Sequence, residues 1–360
     1  MRSLIIPAYV PTQGLEAPGW SEKGLRTASF FAANLLLFLL VLQTTTRKQD
    51  VFAYLKVMAN VSAIYALYGL AAYFAGGEYV LWFKKPDNND IALSSTFMNR
   101  NNYATFVGLG LLCGATITID SLLTRARGRR PGESHLRRLI TYPGGNIWIY
   151  VLGLILMTTA AILTASRAGV LAISLGVGTL VLLSLPRLRP SVRLGILTGL
   201  AASLLVLISI SGDLLLDRLS LENGSGVRLI IYDLILGNWA SNPLSGVGLA
   251  QFDSLFSVYR AENIAQPILR AHNDYLEFAY TAGTIALFFL LVPPILLTRI
   301  YYRRLSDGSG PYPQFTLGIA SSVLVGVHSS LDFPLQIPAV GFYYAIIQAM
   351  VYSLTRPVSK

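Results

Sequence analysis

The chain is short of charge, of histidine and of cysteine. Of its 360 residues 13% are charged, three are His and one is Cys. A single cysteine closes no internal disulfide and builds no zinc cluster, so Cys113 says little about redox compartment. There is no HExxH, no paired CxxC, no GxGxxG after a strand, no P-loop and no GxSxG. The best-marked metallohydrolase, dinucleotide, nucleotide and esterase chemistries therefore lack their signatures. The alternating pattern of a membrane β-barrel is also missing. No internal repeat is visible. Residues 1–27 are polar, contain Pro and Gly and lack an apolar h-region, so no cleavable signal peptide is expected.

What the chain has in abundance is apolar sequence. Hydrophobic residues make up 53% of it, and the mean hydropathy is +0.55. They come in long runs, and about 20 apolar residues at helical rise cross the hydrocarbon core. Lipid demands internally satisfied backbone, so helices are expected. Nine spans are predicted, near 28–42, 52–75, 102–121, 147–164, 169–185, 194–211, 276–298, 315–331 and 338–354. The fold expected is an all-α polytopic transmembrane bundle forming a single integral membrane domain over residues 1–360.

The formal net charge of +10 suggests no nucleic-acid partner once its location is considered. Five stretches hold most of the basic residues: Arg47 and Lys48; Arg125 to Arg138; Arg187 to Arg193; Arg299 to Arg304; Arg356 and Lys360. With nine spans all five fall on one side, which the positive-inside rule makes cytoplasmic. The Arg-rich loop "RARGRRPGESHLRR", with His135, then reads as a solvated orienting loop that touches anionic membrane lipids. The opposite face carries residues 1–27, 76–101, the tip near 165–168, the large loop 212–275 and 332–337. Within that large loop, apolar spacing predicts an amphipathic helix from Val227 to Trp239 and a second short one around Leu249 to Tyr259.

The residues that can carry chemistry gather on that face. Arg167 is the only charge between Asn146 and Arg187. A charge at mid-bilayer costs about 2.5–3.5 kcal/mol even on the lenient insertion scale. Arg167 is therefore either a site residue or a snorkelling arginine at a hairpin tip. Arg228 opens the amphipathic helix with a guanidinium fork that matches phosphate oxygens; its other reading is an ion pair with Asp233 or Glu222. "RAHNDYLEF" places Arg270, His272, Asp274 and Glu277 at the start of the seventh span. Asn273 or Asp274 suits an N-cap or first-turn position there. A helix N-terminus favours the neutral imidazole of His272, which can accept a proton; the alternative is a capping His. His328 and Asp332 stand i, i+4 and can meet on one helix face, as a hydrogen bond that is structural or functional. "PDNND" at 86–90 could bind a cation, though it reads better as a polar turn.

Five stretches, in order, carry a resemblance: "STFMNRNNYATFVGLGLL" (95–112), "LTASRAG" (163–169), "VRLIIYDLILGNWASNPLSGVGLAQF" (227–252), "RAHNDYLEFAYTAGTIAL" (270–287) and "HSSLDFPLQIPA" (328–339). Together they resemble the O-antigen ligase and O-antigen polymerase family of bacterial membrane glycosyltransferases. The resemblance implies transfer of a glycan from a polyprenyl (undecaprenyl) diphosphate carrier, at the periplasmic face, with no metal or other cofactor. The acceptor it implies is a lipid A core, another glycan chain or a protein, which corresponds to ligase, polymerase or protein O-oligosaccharyltransferase; the ligase is favoured. By the same resemblance Arg167 and Arg228 bind the diphosphate and His272 acts on the acceptor hydroxyl. Arg100 and Asn101 match a motif of unassigned role, and Arg270, Asp274 and Glu277 are secondary candidates beside His328 and Asp332. Family members carry further spans ahead of the matched region, so the chain reads as N-terminally shortened. From other classes, the rival readings are a lipid-linked glycan transporter and an inactive relative. A transporter would scatter ionisable and helix-breaking residues near the midplane of several spans, whereas these candidates sit at span ends.

Overall fold

Inside a bilayer a long apolar segment must pair its own N–H and C=O groups, and the helix does this within one segment. The structure, a computed structural model, describes residues 22–77, 79–84, 92–127, 147–184, 225–253, 269–308 and 312–356, with Pro186, Pro190, Leu194 and Thr198; for 125–127 and 225–230 it describes the backbone alone. Among the described residues the helices are α1 (Glu22–Thr44), α2 (Lys48–Phe74), α3 (Arg100–Arg127), α4 (Ile147–Leu163), α5 (Arg167–Ser184), α6 (Ser225–Trp239), α7 (Asp274–Ser306), α8 (Tyr312–Ser329) and α9 (Pro338–Ser353). A 3-10 turn, Pro334–Gln336, joins the last two. One two-stranded hairpin pairs β1 (Tyr79–Val80) with β2 (Phe83–Lys84).

Helices stand at eight of the nine expected span positions. The sixth, near 194–211, lies outside the described residues apart from Leu194 and Thr198. Among the described residues five helices are long and apolar enough to cross a membrane: α1, α2, α3 up to Thr124, α5 and α7; α4 is a shorter apolar helix. Nine spans are thus matched in position at eight places and in length and apolarity at five. The "PDNND" turn, the Arg-rich loop beyond Arg127 and most of the expected helix at 249–259 lie outside the described residues. Within the large loop, α6 forms where its apolar spacing predicts.

Helix α3 is the centre of the bundle and packs against α2, α4, α5, α8 and α9. Its buried residues, among them Tyr103, Val107, Leu109, Leu112 and Cys113, run along most of its length. Small residues let the backbones close up, as is usual between membrane helices. A methyl group placed on Gly110 would lie 2.1 Å from Ser62 of α2, and one on Gly318 2.5 Å from the Tyr301 ring. The periphery is apolar and bare: Leu36 of α1 is 66% exposed and Phe289 of α7 69%. Such side chains suit a lipid surround.

The contacts sort the helix ends into two groups. At one end Lys48 and Gln314 both meet Asp120 at 3.4 Å, Arg304 donates to the Thr355 carbonyl at 2.7 Å, and Arg356 to that of Leu42 at 3.3 Å. Three of the described basic stretches gather there. At the other end lie the starts of α3, α5 and α7 and the end of α8. There Leu93 N donates to the Leu163 carbonyl, and Lys23 pairs with Asp253 at 2.6 Å. This second end carries the functional candidates.

The seventh span is expected as one helix but is interrupted at Gly283, whose φ is +79° and ψ 175°. Residues 243–248, which follow α6, dock into the break. Val247 N donates to the Tyr280 carbonyl (3.0 Å), Gly248 N to that of Thr281 (2.9 Å), and Thr284 N to that of Pro243 (2.8 Å). These bonds replace helical ones that the break removes. The approach is backbone on backbone: a Cβ on Gly283 would lie 2.1 Å from the Leu244 oxygen, and one on Gly246 2.6 Å from the Thr281 carbonyl carbon. Around this clasp Ile231, Ile235, Phe252, Ala271 and Tyr280 form a second small core that joins α6 to the first part of α7.

Candidate active site

The start of α7 is fixed from several sides. Asn273 is its N-cap: Oδ1 accepts from Leu276 N at 3.1 Å, while Nδ2 donates to the Ser330 carbonyl at 3.1 Å. Asp274 N donates to the Asp332 carbonyl at 3.2 Å. His272 precedes the cap with φ +53°, a conformation uncommon outside glycine. Its carbonyl accepts from Tyr232 of α6 at 3.2 Å.

That backbone turns the imidazole toward the end of α8. His272 Nδ1 lies 3.1 Å from Asp332 Oδ1, and the Phe333 ring meets the imidazole edge-to-face at 5.4 Å between centroids. The His272 side chain is 35% exposed while that of Asp332 is fully buried. Asp332 Oδ1 also accepts from Phe333 N at 2.9 Å, and Oδ2 accepts from Asn101 of α3. Burial alone would raise this carboxyl. The hydrogen bonds from His272 and Asn101 and the charges of His272 and His328 outweigh it, and hold the group below the usual carboxylate range. An ionised carboxylate only accepts, so Nδ1 carries the ring proton and a neutral ring presents Nε2 as a base.

The other two carboxylates of the motif serve the scaffold. Glu277 accepts from Ala271 N at 2.8 Å and from Arg270 at 2.8 Å. Asp274 accepts from Leu335 N and from Gln336 Nε2, each at 3.0 Å. Arg270 also donates to Gln336 Oε1 and lies over the Phe333 ring at 5.7 Å. Residues 270–277 are thereby stapled to 332–336. Neither carboxylate holds the His272 ring; Asp332 does.

The helical spacing of His328 and Asp332 predicts a side-chain pair, and the structure places them differently. Helix α8 ends at Ser329, so Asp332 lies past its last turn and swings toward His272 and Asn101. Only main-chain atoms join the two, Asp332 N donating to the His328 carbonyl at 2.8 Å. His328 Nδ1 instead bonds Thr105 Oγ1 of α3, and its Nε2 has no hydrogen-bond partner among the described residues.

Arg167 begins α5, just after a tight turn in which Ala165 has φ +49°. Ser166 Oγ accepts from Gly169 N at 3.1 Å and so caps the helix. The start of α5 lies hard against the start of α3: a methyl on Gly169 would be 2.5 Å from Ala104 Cβ, one turn past Arg100 and Asn101. Arg228 is in α6, one turn before the Tyr232 that holds the His272 carbonyl. Both arginines thus belong to the end of the bundle that carries His272. The Arg228 side chain lies outside the described residues, and with it the expected clamp on one diphosphate.

A cavity of about 450 Å³ lies where the residues leading into α3 and α9 meet α2. Val61, Tyr65, Phe97, Phe106, Ile337 and Tyr343 line it, so it is largely apolar. Among the described residues no group of three or more His, Cys, Asp and Glu is placed to hold a metal ion. Sequence reasoning missed the His272–Asp332–Asn101 connection, because its members stand 60 and 231 residues apart. The signals that pointed that way were the polar residues in the motifs at 99–102 and 328–332.

No curated protein matches the chain. Residues 152–291 match the family model described as O-antigen ligase, a stretch that holds Arg167, Arg228 and His272 but stops short of Asp332. The match over residues 152–291 thus supports the O-antigen ligase family, the one that the motifs resemble.

Proposed function

We propose that the chain transfers a glycan from a polyprenyl diphosphate carrier to an acceptor hydroxyl at the periplasmic face of the inner membrane, with a lipid A core as the favoured acceptor. The observation that carries this reading is His272, which lies in the stretch that matches the O-antigen ligase family model and is held through Nδ1 by the buried, ionised Asp332 beyond it. In this reading the acceptor oxygen attacks the anomeric carbon and the bond from that carbon to the diphosphate oxygen breaks. The diphosphate leaves on its lipid, and the acceptor proton passes to His272 Nε2 and then to solvent. A positioned base of this kind contributes roughly 10²–10⁴-fold. Diphosphate is a good leaving group, so the remaining need is charge stabilisation of the departing oxyanion. Arg167, at a helix N-terminus, and Arg228 supply it, since both the guanidinium fork and the helix end suit phosphate oxygens. The apolar cavity between α2, α3 and α9 suits the isoprenoid part of the donor.

Expression in cells lacking their own O-antigen ligase, and in parallel in cells lacking the polymerase, tests the proposal. Restored glycan on lipid A core supports it, and the attachment point identifies the acceptor. Lengthened glycan without attachment to the core makes the chain a polymerase. Glycan on protein makes it a protein O-oligosaccharyltransferase. No transfer in either strain refutes the enzymatic reading.

A further inference from the structure

The hairpin β1–β2 has a composition that water does not favour. Tyr79 is 52% exposed, Leu81 48%, Trp82 76% and Phe83 65%, so its turn and every strand residue but Lys84 are apolar or aromatic. Surface turns are built from Gly, Asn, Asp and Ser. Here the two turn positions are Leu81 and Trp82, and Leu81 holds φ +55°, which disfavours a side chain.

Its placement explains the composition. Helix α2 ends at Phe74, and Gly76 and Gly77, with φ +101° and +69°, reverse the chain. The hairpin then runs back along α2: Leu81 N, at its tip, donates to the Tyr68 hydroxyl at 2.5 Å. Tyr68 stands six residues inside the helix end, about 9 Å down the axis. Helical side chains tilt toward the N-terminus, which here is farther from that end, so the hydroxyl is no nearer the surface than its Cα. Tyr68 shares a face with Val57 and Ile64, which are 61% and 64% exposed. That face belongs to a helix long and apolar enough to span a membrane. The hairpin therefore lies on a lipid-facing stripe, below the end of its helix. Lys84, which pairs with Tyr79, stands where the strand leaves again. Aromatic side chains at the headgroup boundary flanked by lysines are the usual composition of an interfacial anchor.

We infer that residues 79–84 form a membrane-dipping hairpin, whose tip Trp82 inserts into the leaflet on the side that carries His272. It would fix the depth of the site-bearing end relative to the lipid headgroups. This goes beyond the proposed transfer reaction and depends only on α2 spanning the membrane.

The test compares the full-length chain with Trp82→Phe, each in nanodiscs of phosphatidylethanolamine and phosphatidylglycerol, with and without brominated acyl chains. The difference between the two proteins is the Trp82 emission. It is expected to be blue-shifted, to lose most of its intensity with brominated chains, and to be nearly untouched by aqueous iodide. Iodide quenching of a red-shifted component, with no effect of the brominated chains, overturns the inference. A response to added core oligosaccharide in place of the brominated lipid also overturns it, and makes the hairpin a glycan-stacking surface. Because no transfer is measured, the outcome is independent of the proposed enzymatic function. Should Trp82→Phe misfold, a cysteine at Tyr79, with Cys113→Ala, reports the same depth: resistance to a membrane-impermeant maleimide in nanodiscs but reaction in detergent is expected. Equal reaction in both overturns it.

Discussion

Replacing Asp332 by Asn changes little volume and removes one charge, and its effect follows from the three donors that the carboxylate accepts. These are His272 Nδ1, Asn101 Nδ2 and Phe333 N. An amide has one oxygen and one NH₂ group, so it cannot accept from all three. If its oxygen faces His272, the ring keeps its tautomer but loses the charge that stabilises imidazolium as the acceptor proton arrives. If its NH₂ faces His272, Nδ1 becomes the acceptor, the proton moves to Nε2, and the base is lost. Asn101 can flip its own amide to fit either arrangement, so misfolding is not the expected outcome.

A charge-assisted hydrogen bond exceeds a neutral one by about 1 kcal/mol, which sets a floor of about fivefold. The whole contribution of a positioned base, about 10²–10⁴-fold or roughly 2.7–5.4 kcal/mol, sets the ceiling. Asp332→Asn is therefore expected to slow single-turnover transfer by about 10²-fold or more while leaving donor-lipid affinity near the parent's, since binding rests on the arginines. His272→Ala should lose as much or more. The double variant should be no slower than His272→Ala alone, because the two residues act as one unit. A parental rate for Asp332→Asn, or losses that simply add in the double variant, would refute the dyad. The carboxyl is held below its usual range, so the stability it contributes is present above about pH 3.9 and is lost as pH falls from there through the lower folded value. The thermal-stability difference between parent and Asp332→Asn should therefore narrow as pH falls below about 3.9.

Arg167→Lys and Arg228→Lys keep the charge and lose the planar fork, so each should weaken donor binding and transfer together; full activity in both would exclude a diphosphate clamp. Gly283→Ala should cost about 2 kcal/mol or more, read as a lowered melting temperature, because its conformation is one that other residues avoid and the new methyl would strike the Leu244 oxygen. Gly237→Ala, a helical position with open space around it, should leave the melting temperature unchanged or raise it. For sidedness, a cysteine at Glu133 on a Cys113→Ala background should resist an impermeant reagent added from the periplasm, as the basic stretches require; labelling would invert the proposed orientation.

The helices were legible because apolar run length alone indicates them, and the cap of α7 was legible because "HND" before an apolar run is a local signal. The amphipathic α6 was equally local. What escaped was non-local. Gly283 in "AYTAGTIA" reads as a tolerated glycine within a span, and only the docking of "NPLSGVG" from 40 residues earlier turns it into a break. The hairpin at 79–84 read as part of an ordinary connecting loop, since neither its aromatic tip nor its return along α2 is a periodic feature.

The site shows the same division, and the reason is geometric. Residues four apart face one another only while the helix continues, and α8 stops at Ser329, three residues before Asp332. Past that stop the carboxylate is free to point across the bundle. On the other side, φ +53° at His272 turns the ring away from its own helix, and the adjacent carboxylates are taken up by Leu335 N, Gln336, Ala271 N and Arg270. Only a residue from another segment can then hold Nδ1. The arrangement makes the orientation of the base a property of three helix ends at once: α7 through His272, α8 through Asp332, and α3 through Asn101. Any displacement of α3 or α8 relative to α7 would therefore reach the base directly, without a change in any residue that touches the substrate.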